Sequence, residues 1–189
     1  MSDSSKREQL IETALKLFSK HGFHAVGIDT ILAQSGVAKK TLYNHFKSKD
    51  ELILAVLRYY DERFRNFFMR AVEAKTGNPR ERLLAVFDVA EEWFESDDFY
   101  GCLFVGAIGE YPELGTPVRH TCMEFKGMIQ KYIAKLAREA KAKQPDQLAE
   151  HLVLLLEGAI TMAQINNSPV SAAQAREAAK VLVENSTPR

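Results

Sequence analysis

Apolar side chains recur at three- and four-residue intervals along nearly the whole chain, and nowhere do they alternate with the period of two that a strand needs. Leu10, Ile11, Ala14, Leu17 and Phe18 fall on one face of a helix expected over about 6–21, with Ser5 and Glu8 spaced as a capping box and Gly22 at its end. Phe23 and Val26 are expected to tuck beneath it. Ile28, Ile31 and Leu32 then mark a shorter helix that opens at Gly27 or Ile28 and reaches about residue 35. Gly36 follows, and glycine takes the positive φ of a tight turn without strain. After it, Val37, Leu42 and Phe46 are spaced to face the same core as Ile31 and Leu32. Ser48 and Glu51 form a second Ser-x-x-Glu start, opening a long helix over about 49–74 with an apolar stripe of Leu52, Ile53, Val56, Leu57, Tyr60, Phe64, Phe67 and Phe68. That stripe outruns the three preceding segments, so the fourth helix is expected to touch two bodies.

The remaining punctuation is as regular. Asn78 and Pro79 open a fifth helix to about residue 95, and Ser96, Asp97 and Asp98 break it. A short apolar helix is expected over 102–111, stopping before Pro112. Thr116 caps and Pro117 opens a seventh to about residue 143, with Val118, Met123, Phe125, Met128, Ile129, Ile133 and Leu136. Pro145 opens the eighth, and Ser171 with Gln174 makes a capping box for the ninth. There is no glycine-rich phosphate loop and no internal repeat. The fold class expected is all-α, about nine helices, with an N-terminal three-helix helix-turn-helix domain over 1–50 that includes the start of the fourth helix to about 60. A larger helical domain fills 51–189.

Composition changes this picture little. The 189 residues are 46% hydrophobic and 26% charged, the balance of a soluble globular protein. Zero formal net charge argues against a nucleic-acid binder taken as a sum, but residues 1–50 hold eight Lys or Arg against five acids and the rest of the chain is correspondingly acidic. Two cysteines, Cys102 and Cys122, are too few for a disulfide framework. The polar N-terminus is unlike a signal peptide, and the longest uninterrupted apolar run, around 152–156, falls far short of a membrane span. A cytoplasmic, reduced protein with no membrane association is expected.

The candidate chemistry lies in the third segment. With Leu42 and Phe46 turned inward, Lys39, Lys40, Thr41, Tyr43, Asn44 and His45 point elsewhere, an outward face of hydrogen-bond donors and cations. A helix of about two turns has no stability of its own, so its neighbours must hold that face out. Such a presentation fits the major groove of double-stranded DNA.

The run from Gly36 through Thr41-Leu42-Tyr43-Asn44-His45-Phe46 to Ser48-Lys49-Asp50-Glu51-Leu52 resembles the N-terminal domain of the TetR family of bacterial transcriptional regulators, over about residues 6–60. The resemblance implies a ligand-responsive regulator, most often a repressor released from a palindromic operator by a small-molecule effector, working as a homodimer through helices 8 and 9. It places Lys39, Lys40, Thr41 and Asn44 toward bases or phosphates, Tyr43 and His45 on the DNA backbone, and Lys49 on a phosphate. The family has Thr or Ser where Val26 and Gly27 stand, which leaves the Gly27 or Ile28 amide to meet phosphate, and Ser where Ala38 stands, which loses a cap worth roughly 1 kcal/mol. Leu148, Leu152, Leu155, Leu156, Ala159, Ile160 and Ala163 on helix 8, with Ala172, Ala175, Ala178, Ala179, Val181 and Leu182 on helix 9, are the dimer-face candidates, and intramolecular core is the competing reading. For the effector, of unknown identity, the resemblance implies a pocket among the middle helices, where Phe87, Trp93, Phe94, Tyr100, Cys102, Phe104, Phe125 and Met128 concentrate, with Met162 on helix 8. Tyr111 lies in the same stretch. Core packing explains many of these equally well.

Cys102, opening a helix after Gly101, has a position that favours a thiolate, so a sensing role stands beside simple packing. Two other functions compete. An enzyme would need more than the scattered histidines His21, His24, His45, His120 and His151, of which only His120 approaches Cys122 at ligand-like spacing; no metal, cofactor or catalytic residue is expected. An effector-binding adaptor that no longer reads DNA is the other.

Overall fold

The computed structural model describes residues 3–188, and among these every regular element is helical. In chain order they are α1 (Asp3–His21), α2 (Ile28–Ser35), α3 (Lys39–His45), α4 (Lys49–Lys75), α5 (Pro79–Phe94), α6 (Leu103–Glu110), α7 (Pro117–Glu139), α8 (Pro145–Asn166) and α9 (Val170–Ser186). The architecture is all-α, with a helix-turn-helix followed by a larger helical region.

The starts read from the sequence hold where a side chain is free to turn back on the helix. Asn78 accepts from the Arg80 amide at 2.9 Å, Thr116 from the Arg119 amide at 3.3 Å and Ser48 from the Glu51 amide at 3.2 Å. The Glu51 carboxylate reaches back one residue further than expected, to the Lys47 amide at 2.7 Å. Two expected caps are corrected. α1 begins at Asp3, so Ser5 sits inside its first turn and not ahead of it. α9 begins at Val170 behind Pro169, and the Ser171 hydroxyl is buried, donating instead to the Ala159 carbonyl at 2.7 Å. The seventh helix also stops short of residue 143. Lys141 takes φ 56°, and the Ala142 amide returns to the Ala137 carbonyl at 2.9 Å, a Schellman ending with lysine in the left-handed position.

The chain divides into two compact units. The first comprises the chain up to Arg63 together with Cys102–Glu124, and so includes α1 to α3, the first half of α4, α6 and the start of α7. Its core is Leu10, Ile11, Ala14, Phe18, Phe23, Ile31, Leu42, Phe46, Leu52, Ile53, Val56 and Leu57, all buried. Tyr59 on α4 donates to Glu12 on α1 at 2.6 Å and accepts from Arg63 at 2.6 Å. Desolvation, then the Glu12 hydrogen bond, pushes its pKa up to about 12.

The second unit holds Phe64–Gly101 and the chain from Phe125 onward. α8 packs against α9, and both pack against α5. Arg176 on α9 donates to Asp88 on α5 at 2.6 Å, and Lys126 on α7 to Glu157 on α8 at 2.6 Å. Leu148, Leu152, Leu156, Ala159, Ile160 and Ala163 of α8 are buried within the monomer, as are Ala172, Ala175 and Ala179 of α9. Of the other dimer-face candidates, Ala178 and Val181 are exposed, and Leu155 and Leu182 are half-buried. The exposed Leu154, Met162 and Ile165 on α8 follow a helical spacing, with Gly158 and Thr161 between them, and Val170, Ala178 and Val181 do the same on α9. Phe67, expected on the apolar stripe of α4, and Met123, expected on that of α7, are also exposed.

α8 has the length and apolarity of a membrane span by composition alone, with mean hydropathy 1.4 over its most apolar stretch. This departs from the reading of uninterrupted runs, because small and uncharged residues such as Gly158 and Thr161 extend the apolar stretch without breaking it. Its inward face is core in the second unit.

Candidate nucleic-acid interface

The geometry of the recognition segment follows from one turn. Gly36 has φ 65°, and its amide closes α2 on the Leu32 carbonyl at 3.0 Å. A residue with a Cβ is strained in that conformation. The turn is braced by two groups that the sequence reading passed over. The Ser35 hydroxyl accepts from the Val37 amide at 3.3 Å, and Gln9 on α1 donates to the Ser35 carbonyl at 2.8 Å. A serine just ahead of the turn glycine is a local signal for the first; nothing local marks the second.

α3 is seven residues long and opens at Ala38 with no side-chain cap, as the missing serine implies. Leu42, Val37 and Phe46 are buried and anchor it, and Arg7 lies over the Phe46 ring at 5.3 Å. Lys39, Lys40, Tyr43 and Asn44 are exposed on the other side, while Thr41, His45 and Lys49 are half-buried. Tyr43, 48% exposed, is presented with the polar side chains and not drawn into the core. His45 turns toward a cavity of about 330 Å³ beside Phe46, between Arg7 and Ile11 of α1 and Arg58 and Tyr59 of α4. Lys39 is held by Asp29 of α2 at 3.2 Å, an acid among the cations of this face that the sequence reading did not single out. Gly27 caps α2 in extended conformation, φ −83° and ψ 160°, with no side-chain hydrogen bond.

The suggested effector residues fall in both units. In the second, Trp93 meets Phe64 at 4.8 Å, Phe99 at 5.0 Å and Phe94 at 5.6 Å, and Phe64 meets Phe125 at 6.2 Å. Phe64, Phe68 and Phe99 belong to this cluster although the sequence did not place them there. Phe87 is buried on α5, Met128 is half-buried on α7, and Tyr100 and Met162 are exposed. In the first unit, Phe104 is buried against Tyr60 at 5.8 Å, and Cys102 is the half-buried N-cap residue of α6. Burial, reinforced by Cys102, pushes the Tyr60 hydroxyl pKa well up. Cys122 is buried while His120 is exposed and paired with Glu124 at 3.3 Å, so the two do not share a ligand face. Among the described residues no three His, Cys, Asp or Glu side chains converge as a metal site would require.

Known proteins carry the same pattern. The family model of bacterial regulatory proteins of the tetR family matches residues 10–56, and that of the tetracyclin repressor-like C-terminal domain matches residues 79–179. The transcriptional regulator AcuR of Cereibacter sphaeroides is 31% identical over 175 residues, covering 88% of this chain and 80% of that protein. The transcriptional activator FasR of Mycolicibacterium smegmatis is 34% identical over 115 residues, 60% of this chain and 52% of its own length. The crystal structure of SCO4454, a TetR-family transcriptional regulator from Streptomyces coelicolor, superposes with a TM-score of 0.91 at 27% identity, covering 98% of this chain and 97% of that one. With an outward-facing polar α3 held on a buried Leu42 by a glycine turn, and with both halves matched, the chain belongs to the TetR family of DNA-binding bacterial transcriptional regulators.

Proposed function

We propose that this protein is a homodimeric repressor that reads a palindromic operator with its two α3 helices and leaves it when a small molecule binds. The observation that carries the reading is α3 itself, whose only buried side chain is Leu42 and which holds Lys39, Lys40, Tyr43 and Asn44 out to solvent. Lys39, Lys40, Thr41 and Asn44 reach base edges or phosphates, Tyr43 and His45 the sugar-phosphate backbone, and Lys49 with the Gly27 amide the flanking phosphates. Lysine on guanine acceptors and asparagine on adenine carry the sequence information. The DNA-reading domain is taken as 1–50 with the start of α4, and 51–189 as the effector-binding and dimerisation region.

The exposed stripe of α8 and α9, Leu154, Met162, Ile165 and Val181, supports dimerisation through these helices. Two readers related by a twofold axis address half-sites about 34 Å apart, or a multiple of it. The aromatic cluster around Trp93 supports an apolar or amphipathic effector, favouring a conformer in which the readers no longer match that spacing. The curated relatives include the repressor KstR2 of Mycobacterium tuberculosis as well as the activator FasR, and steric repression is the reading adopted. A cytoplasmic location follows from this role, and no catalytic chemistry is assigned.

Fluorescence anisotropy against DNA from upstream of the protein's own gene, beside a scrambled duplex at several salt concentrations, tests it. Preference for the native duplex of about a thousandfold or more is expected of a specific reader. Equal, strongly salt-dependent binding to both sends the search to other promoters; equal binding to every promoter tried leaves an adaptor. In vitro transcription from the bound promoter separates repression from activation.

A further inference from the structure

The end of α6 is tied to the turn between α1 and α2 by its own last residue, Glu110. Glu110 accepts the Phe23 amide at 2.7 Å through one carboxylate oxygen and the His24 amide at 2.5 Å through the other, and His24 Nδ1 stands 3.3 Å from the same carboxylate. The approach is close enough that a Cβ on Gly22, which has φ 84°, would lie 2.8 Å from Glu110 Oε1. Next along the chain, Tyr111 meets the His24 ring at a tilt, 4.9 Å between centroids, and Phe23 edge-on at 6.3 Å. Burial first, then the nearby carboxylate of Asp50 in the first turn of α4, pushes its hydroxyl pKa up.

Two consecutive backbone amides on one carboxylate is a charge-assisted arrangement, stronger and more directional than a neutral contact. It fixes the backbone of a turn, where a side-chain contact would leave rotamers free. The positions also cross the sequence in a particular way. Phe23 and His24 lie in the region matched by the DNA-binding family model, and Glu110 lies in the region matched by the C-terminal one. We propose that Glu110 is a positioning residue for DNA recognition, its carboxylate gripping the α1–α2 turn through the Phe23 and His24 amides so that α3 is presented at a fixed angle from α6. This rests on the reading of the chain as a dimeric DNA reader. A reader held by α4 alone still recognises a half-site, since the α3 side chains are untouched. A reader also held through α6 reaches its second half-site at a preset spacing, and that preorganisation is what a palindrome rewards.

The test uses the full-length homodimer and two duplexes, a palindrome selected by the wild-type protein from a random library and the same duplex with one half-site scrambled. Glu110→Ala is expected to weaken the palindrome by about tenfold or more, the scale of lost preorganisation, while leaving single-half-site affinity within about twofold. Glu110→Gln, which keeps an uncharged acceptor and so guards against a variant that does not fold, is expected to fall between. Amide hydrogen exchange at Phe23 and His24 is expected to speed up in both. Equal losses on the two duplexes would mark Glu110 as a stabilising contact only and overturn the assignment, as would faster exchange with both affinities unchanged. A wild-type protein that enriches no duplex at all would instead sink the DNA-reading function, and this assignment with it.

Discussion

The sharpest prediction concerns the dimer and turns on Ile165 and Leu154, which are 68% and 73% exposed in the single chain. Fully burying a leucine or isoleucine is worth about 1.5–3 kcal/mol, so covering the exposed two thirds of Ile165 is worth roughly 1–2 kcal/mol per copy. A twofold interface counts each residue twice, which makes Ile165→Ala cost the dimer about 2–4 kcal/mol. At about 1.4 kcal/mol per factor of ten, Kd for dimer dissociation rises roughly thirtyfold to several-hundredfold. Sedimentation velocity from nanomolar to ten-micromolar concentration measures it, and far-UV circular dichroism is expected to be unchanged because the side chain contributes little to the monomer core. Leu154→Ala is expected to behave alike. Leu114→Ala serves as the control, since Leu114 is still more exposed but lies between α6 and α7 and off the α8–α9 stripe. If Ile165→Ala and Leu154→Ala both dimerise like the wild type, the exposed stripe is not the interface.

Other outcomes follow from single contacts. Gly36→Ala has no atom within 4 Å of the new Cβ, so its cost is the left-handed backbone alone, about 1–2 kcal/mol; Gly22→Ala adds a collision with Glu110 and should destabilise more, which urea melts of the two variants will rank. Asp29→Asn frees Lys39 from its 3.2 Å ion pair and is expected to strengthen binding to scrambled DNA and steepen the salt dependence by about one unit of log–log slope. Lys49→Ala is expected to flatten that slope by about one unit on every sequence; a loss confined to one operator would show that Lys49 reads a base. Burial first, then Glu73, pushes the Tyr132 hydroxyl up to about 12, against about 10 when unfolded. Its contribution is therefore complete below pH about 10 and is lost as the pH rises toward 12, so Tyr132→Phe should flatten the alkaline fall in stability measured by denaturant titration.

What could be read from the chain beforehand was whatever depends on neighbours three or four residues away. The period of the apolar residues marks the helices, and Asn78, Thr116 and Ser48 mark starts because a cap acts within one turn. Ser5 and Ser171 carry the same spacing and mislead, since a serine near a helix start caps it only if the backbone enters there. The end of α7 gave no signal, because Lys141 occupies a position that glycine usually announces. α8 carries apolar residues beyond the face it buries, so its period does not say which of them are spent inside the monomer; only packing separates Leu152 and Leu156 from Leu154 and Ile165. At the site, the outward face of α3 was legible from Leu42 and Phe46. The Asp29 partner of Lys39 is ten residues away, and Glu110 meets a turn more than eighty residues distant. Contacts of that separation leave no trace in a single sequence.

The Glu110 grip also bears on how readers and sensors of this kind can be recombined. A chimera that joined residues 1–60 of this chain to another body would keep every residue of the recognition helix yet leave the amides of Phe23 and His24 facing whatever the new partner offered. Transplanting the reader with a matching acceptor at the end of the donor's sixth helix, and an aromatic residue after it, is the smaller graft that preserves the turn. Compatibility between halves then becomes a question about two residues, one that can be asked of any prospective donor before it is built.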